Sequence, residues 1–271
     1  MLIEKIQKYW DDRPCNIRHS DKDIDAAEYS AEVEKRKYFV EPHIPSFADF
    51  PRWRDKDVLE IGCGIGTDSI NFHRAGSNLT MIELSQKSLD VCLRRFAALD
   101  LEAPASYLEN AEDMDDFLPD DAKYDLIYSF GVIHHTESPE KIIAAAKKRL
   151  KKDGELRIML YSKYSFKLFD FMHQENVWDL GRTDEIIQYY AEAQLNCPRA
   201  LTYTFGEIRK LLKDFDIIEM KKDHLFKYSI PEYIKGEYVV ADAFKNMEDA
   251  DFKEMCEEVG WHTLVRASLK K

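Results

Sequence analysis

Short apolar runs along the chain alternate with segments whose apolar positions recur every three or four residues. Asp57 to Ile61 has the Val/Leu/Ile character of a strand buried on both faces, as in a parallel sheet. Asp68 to Ala75 opens a helix, and Leu79 to Ile82 is a second strand that ends on Glu83. Gln86 to Ala98 follows as a helix whose Leu89, Leu93 and Phe96 face the sheet. Ala105 to Glu109 is a weaker third strand, and Tyr124 to Ser129 a clear fourth. Pro139 and Glu140 start the next helix, with an apolar stripe of Ile142, Ile143, Ala146 and Leu150 that Asp153-Gly154 is expected to stop. Glu155 to Leu160 is then a fifth strand, so the course from Asp57 to Tyr161 alternates strand and helix throughout. That alternation predicts an α/β, Rossmann-like, doubly wound sheet. Further on, Thr204 caps a helix reaching Leu212, with Glu207 three residues after the cap. Phe215 to Met220 and Trp261 to Ala267 supply the last two strands.

Two stretches fall outside the alternation. Residues 1–54 are rich in aromatic and charged residues, among them Tyr9, Trp10, Tyr29, Tyr38, Phe39, Phe47, Phe50 and Trp53. Within them Glu28 to Val40 reads as a helix that Pro42 ends. We read this arm as an N-terminal helical cap over a binding site, since aromatic walls exclude water and attract a cation through their π faces. The same rings could also serve only to pack the arm onto the core. Residues 55–271 form the main domain, and within it 161–200 is a helical insertion after the fifth strand, carrying Tyr161, Tyr164, Phe166, Phe169, Phe171, Trp178, Tyr189 and Tyr190. It is expected to act as a lid that forms part of an acceptor pocket.

Composition narrows the function. At 271 residues, with 45% hydrophobic and 33% charged residues, the chain reads as one large globular core with an elaborated end. A net charge of −12 argues against a broad nucleic-acid surface, and the basic run Lys147 to Lys152 sits at a helix end, where it complements the dipole. No stretch is long and apolar enough to suggest a membrane span, and Met1 to Trp10 lacks the apolar core of a signal peptide. Cys15, Cys63, Cys92, Cys197 and Cys256 are an odd, scattered set without a CxxC pair, which predicts a reducing cytoplasm and no structural zinc.

The candidate chemistry lies where the first strand gives way to Gly62-Cys63-Gly64-Ile65-Gly66-Thr67-Asp68. Glycines let the backbone turn tightly and approach a ligand, and the helix that follows presents unpaired N–H groups. The dinucleotide fingerprint G-x-G-x-x-G/A would need Gly or Ala where Thr67 stands. Glu60-x-Gly62-x-Gly64-x-Gly66 instead resembles the first motif of class I S-adenosylmethionine (SAM) dependent methyltransferases of the small-molecule type. In that reading Glu60 receives the ammonium group of the amino-acid part. Glu83, about 20 residues beyond the turn, accepts the ribose hydroxyl protons. The resemblance puts Leu84 beside the adenine with Ser85 next to it. It gives Asn110, in place of the usual acid, the adenine-amine position, with Ala111 and Glu112 alongside. The turn contributes Cys63, Gly66, Thr67 and Asp68, and it further implies that the last strand of a seven-stranded sheet runs antiparallel between the fifth and sixth. Because ligands sit beyond the carboxyl ends of the strands in open α/β sheets, Ser129, Phe130 and Gly131 should border the cofactor.

The expected reaction is therefore in-line displacement of the sulfonium methyl by an O, N or S nucleophile of a small molecule, leaving S-adenosylhomocysteine. His134 is the candidate general base, with Tyr161 and Tyr164 as pocket residues near the end of the fifth strand. Such a transfer requires alignment and exclusion of water, and no metal is expected. The rival readings are a nicotinamide-dependent oxidoreductase or epimerase, a SAM-sensing protein, and an enzyme that cyclises or cleaves SAM. Thr67 and the lack of a Tyr-x-x-x-Lys pair after the fourth strand count against the first of these, and the absence of an N-P-P-Y type tetrad weakens a nucleic-acid substrate.

Overall fold

The computed structural model describes residues 1–190 and 196–270. They form a seven-stranded sheet built from β1 (Asp57–Ile61), β2 (Asn78–Glu83), β3 (Ala105–Leu108), β4 (Tyr124–Phe130), β5 (Leu150–Tyr161), β6 (Phe215–Asp223) and β7 (His262–Leu269). The order is β3-β2-β1-β4-β5-β7-β6, parallel through β5, with β7 antiparallel to both β5 and β6. Chain order reverses between β1 and β4, and that switch opens a crevice above the strand ends. The expected sheet, including its inserted last strand, is the one observed.

The buried strands explain their own placement. Val58, Leu59 and Ile61 of β1 are fully buried, and alternate residues enter the two apolar layers on either face of the sheet. At roughly 1.5–3 kcal/mol for each buried side chain of this size, those three residues fix β1 at the centre. The helices in chain order are α1 (Leu2–Asp12), α2 (Ala27–Val40), α3 (His43–Ala48), α4 (Thr67–Arg74), α5 (Gln86–Ala98), α6 (Met114–Phe117), α7 (Pro139–Arg149), α8 (Phe166–Gln174), α9 (Thr183–Tyr190), α10 (Phe205–Leu211), α11 (Ile230–Ile234) and α12 (Asp249–Val259). Helix α10 carries the full capping box, with Thr204 and Glu207 each bonding the other's backbone N–H. No helix of the described residues is long and apolar enough to cross a membrane.

One expected boundary shifts. Helix α7 ends at Arg149, and β5 already begins at Leu150, so Gly154 lies inside a strand rather than stopping a helix. A Cβ on Gly154 would stand 2.9 Å from the Tyr124 carbonyl oxygen and 2.9 Å from the Leu150 side chain. Glycine is required there by close approach, at the register shift between β4 and β5. Helices α1 and α12, absent from the sequence reading, add an amphipathic helix at the start of the arm and one before the last strand.

Candidate functional site

A cavity of about 320 Å³ opens above the carboxyl ends of β1, β2 and β4. Its lining follows the strand order. Glu83, Leu84, Glu109, Asn110 and Ala111 stand on the β2/β3 side, Glu60, Gly62 and Gly64 in the middle, and Phe130, Met159, Tyr161 and His262 towards β4, β5 and β7. Ile3, Ile6 and Trp10 of α1, with Lys37 of α2 and Glu41 beyond it, close over the opening.

The glycine turn is built for close contact. Gly62, Gly64 and Gly66 have φ values of 76°, 55° and 81°, in the left-handed region. A Cβ on Gly62 would come within 2.2 Å of Val132 Cγ2, and one on Gly66 within 2.3 Å of Cys92 Sγ. At Gly64 nothing lies within 4 Å, so its Cβ would project into open space beside the cavity. From α5 the fully buried Arg95 fixes the turn, donating from Nη1 to the Ile65 carbonyl at 2.5 Å and to Thr67 Oγ1 at 3.0 Å.

Two buried carboxylates flank this turn. Glu83 is held in place by backbone: Gly64 N–H donates to Oε2 at 2.8 Å, and the Leu84 and Ser85 N–H groups donate to Oε1 at 2.9 Å each. Burial raises its pKa, and those three donors moderate the rise. A carboxylate offers about four lone-pair sites, so a further donor can still be received. Glu60 is only 3% exposed and accepts the Ser69 hydroxyl. Burial, followed by the charge of nearby Asp68, pushes its pKa up to about 8. Asp68 in turn accepts Lys37 Nζ at 2.9 Å, Tyr38 Oη at 3.0 Å and Tyr128 Oη at 2.9 Å. An incoming ammonium group would meet in Glu60 an acid without a cation of its own at hydrogen-bond distance.

The sequence-selected residues divide into two sets. Glu60, Gly62, Cys63, Gly64, Thr67, Asp68, Glu83, Leu84, Asn110, Ala111, Phe130, Gly131 and Tyr161 all line the cavity. Gly66, Ser85, Glu112, Ser129, His134 and Tyr164 do not, and each has another job. Gly66 packs on Cys92 as the N-cap of α4. Ser85 caps α5 and donates to Asp11 at 2.7 Å, while Ser129 Oγ donates to the Ile61 carbonyl at 3.2 Å. The Glu112 carboxylate turns away to accept the Glu137 N–H at 2.7 Å. Tyr164 is 46% exposed and faces outward.

His134 is fully buried behind the lining, its ring centroid 3.7 Å from that of Tyr161, which does line the cavity. Burial holds its pKa well below the usual imidazole value. A general base must reach the proton it removes, and the Tyr161 ring stands between His134 and the cavity. His135 lines the cavity instead. Its Nδ1 stands 2.6 Å from the Arg199 carbonyl, which only accepts, so Nδ1 carries a proton.

The described part of the insertion packs mainly on the core. Apart from Tyr161, the lining includes none of its described residues, and 191–195 lie outside the described residues. Leu168 and Met172 of α8 and Ile186 and Ile187 of α9 are buried in the apolar layer they share with Trp261. Lys37, Tyr38, Ser69, Arg95 and Tyr128 were not assigned to the site from the sequence. Only Lys37 carried a signal, as a lysine on the apolar spacing of Val33 and Val40.

Sheet order and cavity together define the class I methyltransferase fold. Residues 59–156 match the family model described as a methyltransferase domain. Among curated relatives, a ubiquinone biosynthesis O-methyltransferase of Hydrogenovibrio crunogenus is 33% identical over 106 residues, covering 39% of this chain and 42% of the relative. One from Shewanella pealeana is 26% identical over 174 residues, 58% of this chain and 71% of the relative. The chain thus matches less than half the length of the first of these relatives. A magnesium protoporphyrin IX methyltransferase of Synechocystis, solved with bound SAM, superposes with a TM-score of 0.58 at 13% identity, covering 100% of this chain and 98% of that one.

Proposed function

We propose that this chain is a SAM-dependent methyltransferase that moves the sulfonium methyl to an O, N or S nucleophile of a small molecule. The observation that carries the reading is the pair of buried acids, Glu60 and Glu83, on either side of a left-handed glycine turn in one cavity. A sulfonium nucleoside has a donor for each. Its ammonium group suits Glu60, its ribose hydroxyls suit Glu83, and Leu84, Asn110 and Ala111 are left for the adenine. Gly64 lets the backbone approach without a side chain in the way. Transfer then needs the acceptor in line with the C–S bond: the nucleophile's lone pair forms the new bond to carbon, and the C–S pair stays on sulfur. Ile3, Ile6 and Trp10 keep water from the reacting atoms.

The names of the curated relatives support an oxygen acceptor. The acidity of the chain supports a small molecule over a nucleic acid. Five free cysteines fit a reducing cytoplasm. A nicotinamide site would place Gly or Ala where Thr67 receives Arg95.

Thermal shift with SAM, S-adenosylhomocysteine and NAD tests the cofactor. Stabilisation by the first two and not by NAD is expected, and stabilisation by NAD alone would overturn the reading. Methyl-labelled SAM with a small-molecule extract tests the reaction. Label appearing on an acceptor supports transfer, whereas SAM consumed without a labelled acceptor would indicate cyclisation or cleavage.

A further inference from the structure

Three histidines that the proposed transfer leaves unused meet where the N-terminal arm crosses the ends of β6 and β7. His43 opens α3 directly after Pro42. His224 follows the last residue of β6 with a left-handed φ of 71°, and His262 begins β7 opposite Asp223. Each offers a ring nitrogen, and these nitrogens all lie within 4.8 Å of one another. His43 Nε2 and His262 Nδ1 are 3.0 Å apart, and the His224 and His262 rings stack at 4.5 Å between centroids. With metal–nitrogen bonds of about 2.0–2.1 Å, donors on a tetrahedral ion stand roughly 3.3 Å apart. Two of the three nitrogens are therefore close to coordination spacing, and the His224 ring, now stacked on that of His262, has to turn for its nitrogen to complete the set.

The surroundings are those of a ligand set. His43 and His262 are 7% and 4% exposed, and the buried His43 Nδ1 has no hydrogen-bond partner, its nearest acid being Asp223 at 4.0 Å. A histidine bound to metal through one nitrogen commonly turns the other towards a carboxylate, and Asp223 is the carboxylate on that side of His43, at 4.0 Å and beyond hydrogen-bond distance. The Glu41 carboxylate lies 3.9 Å from His262 Nδ1, and both residues line the cavity. Of the nearby cations, Lys37 is already paired with Asp68 at 2.9 Å.

We propose that His43, His224 and His262 bind one divalent first-row transition ion of the zinc type, with a further coordination position facing the cavity. Imidazole donors suit such ions and not magnesium or calcium. The site stands on geometry alone; its chemical role rests on the methyltransferase reading and replaces the expectation that transfer here needs no metal. A coordinated hydroxyl of the acceptor loses its proton to solvent more readily, as metal-bound water does. Its oxygen then forms the C–O bond while the C–S bond breaks towards sulfur. A coordinated amine would have its lone pair blocked, whereas a hydroxyl or thiol loses a proton on coordination and keeps a lone pair for the methyl; the oxygen acceptors in the names of the curated relatives favour the hydroxyl.

The test uses the untagged full-length chain. It is stripped with a chelator, titrated with Zn²⁺ and Co²⁺, and followed in parallel for SAM binding by calorimetry. One Co²⁺ per chain with an intense visible d–d spectrum is expected. So is a rise in Tm of roughly 10 °C at about 1,000 times the zinc Kd. His43→Asn and His224→Asn, neither of which lines the cavity and each checked for fold by circular dichroism, should weaken zinc about 100-fold and leave SAM binding in place. A stripped wild-type chain that binds SAM yet gives no Co²⁺ spectrum and no zinc-dependent Tm shift would reduce the trio to hydrogen-bonded imidazoles and sink the proposal. Zinc uptake without SAM binding would uphold the metal site and reject the methyltransferase reading.

Discussion

Gly62 and Gly64 are two residues apart and alike in backbone, yet they answer to different constraints. The Cβ of Gly62→Ala would collide with Val132 in addition to occupying a φ of 76°, so a Tm lower by several degrees is expected. Gly64→Ala meets no protein atom and bears only the backbone strain, about 1 kcal/mol. It should nonetheless lose at least tenfold in SAM affinity by calorimetry, and unchanged affinity would mean that the ligand does not sit on this turn. Glu60 gives a pH signature. Its folded pKa of about 8 lies above the ordinary carboxyl value of 4.5, so the stability tied to its proton is intact below about pH 4.5 and lost as pH rises through 8. Relative to Glu60→Gln, the wild-type Tm should therefore fall between those limits. An ammonium placed on Glu60 favours the ionised form, so SAM binding near pH 7 should release up to about one proton, measurable by calorimetry in buffers of different ionisation heat. Glu60 and Gly64 stand out in the sequence as parts of one short motif and Glu83 by its spacing beyond it, and the pairing of β1 with β2 brings the three to one cavity. What puts His135 on the cavity lining and leaves His134 behind it was not legible there, since adjacent residues on a short 3-10 turn differ only in what packs against them.

Among the elements, α1 couples the cofactor site to the start of the chain. Gln7 Nε2 donates to the Leu84 carbonyl at 3.1 Å, and Asp11 accepts Ser85 Oγ and the Lys87 N–H, so the helix is fastened to the loop that follows β2. Hydrogen exchange in residues 2–12 is expected to slow on adding SAM. Removal of those residues should weaken SAM at least tenfold while leaving the far-UV spectrum of the sheet in place. Exchange unaltered by SAM would make α1 plain packing. The arm was foreseen as a cap from its aromatic content, but of its residues on the cavity lining only Trp10 is aromatic, beside Ile3, Ile6, Cys15, Asn16, Lys37 and Glu41. The insertion was foreseen as a lid by the same criterion, and its aliphatic residues are spent on the core instead. Aromatic richness signals burial without saying which side of a wall is buried.

At the scale of the whole molecule, the arm is tied to the far strands through Glu155. It pairs with Arg157 at 2.7 Å, Arg266 at 2.6 Å and Arg52 at 3.0 Å, while Arg157 Nη1 donates to the carbonyls of Phe47 at 2.5 Å and Ala48 at 3.1 Å. Burial would raise the Glu155 pKa, but the guanidinium groups of Arg266 and Arg157 outweigh it and hold the acid below its usual range. Glu155→Ala leaves Arg157 charged and only 1% exposed, so a loss of about 3–5 kcal/mol is expected, or roughly 10 °C in Tm. A drop of a degree or two would show the cluster to be solvated and weak.

The chain's periodicity determined the strands, five of the twelve α-helices among the described residues and the glycine turn, because each depends on neighbours within a few residues. It also determined which acids flank that turn. Only the tertiary structure decided which side chains face the cavity. His43 and His262 stand 219 residues apart in sequence and 3.0 Å apart in space, and no local pattern records a meeting made by β7 slotting between β5 and β6.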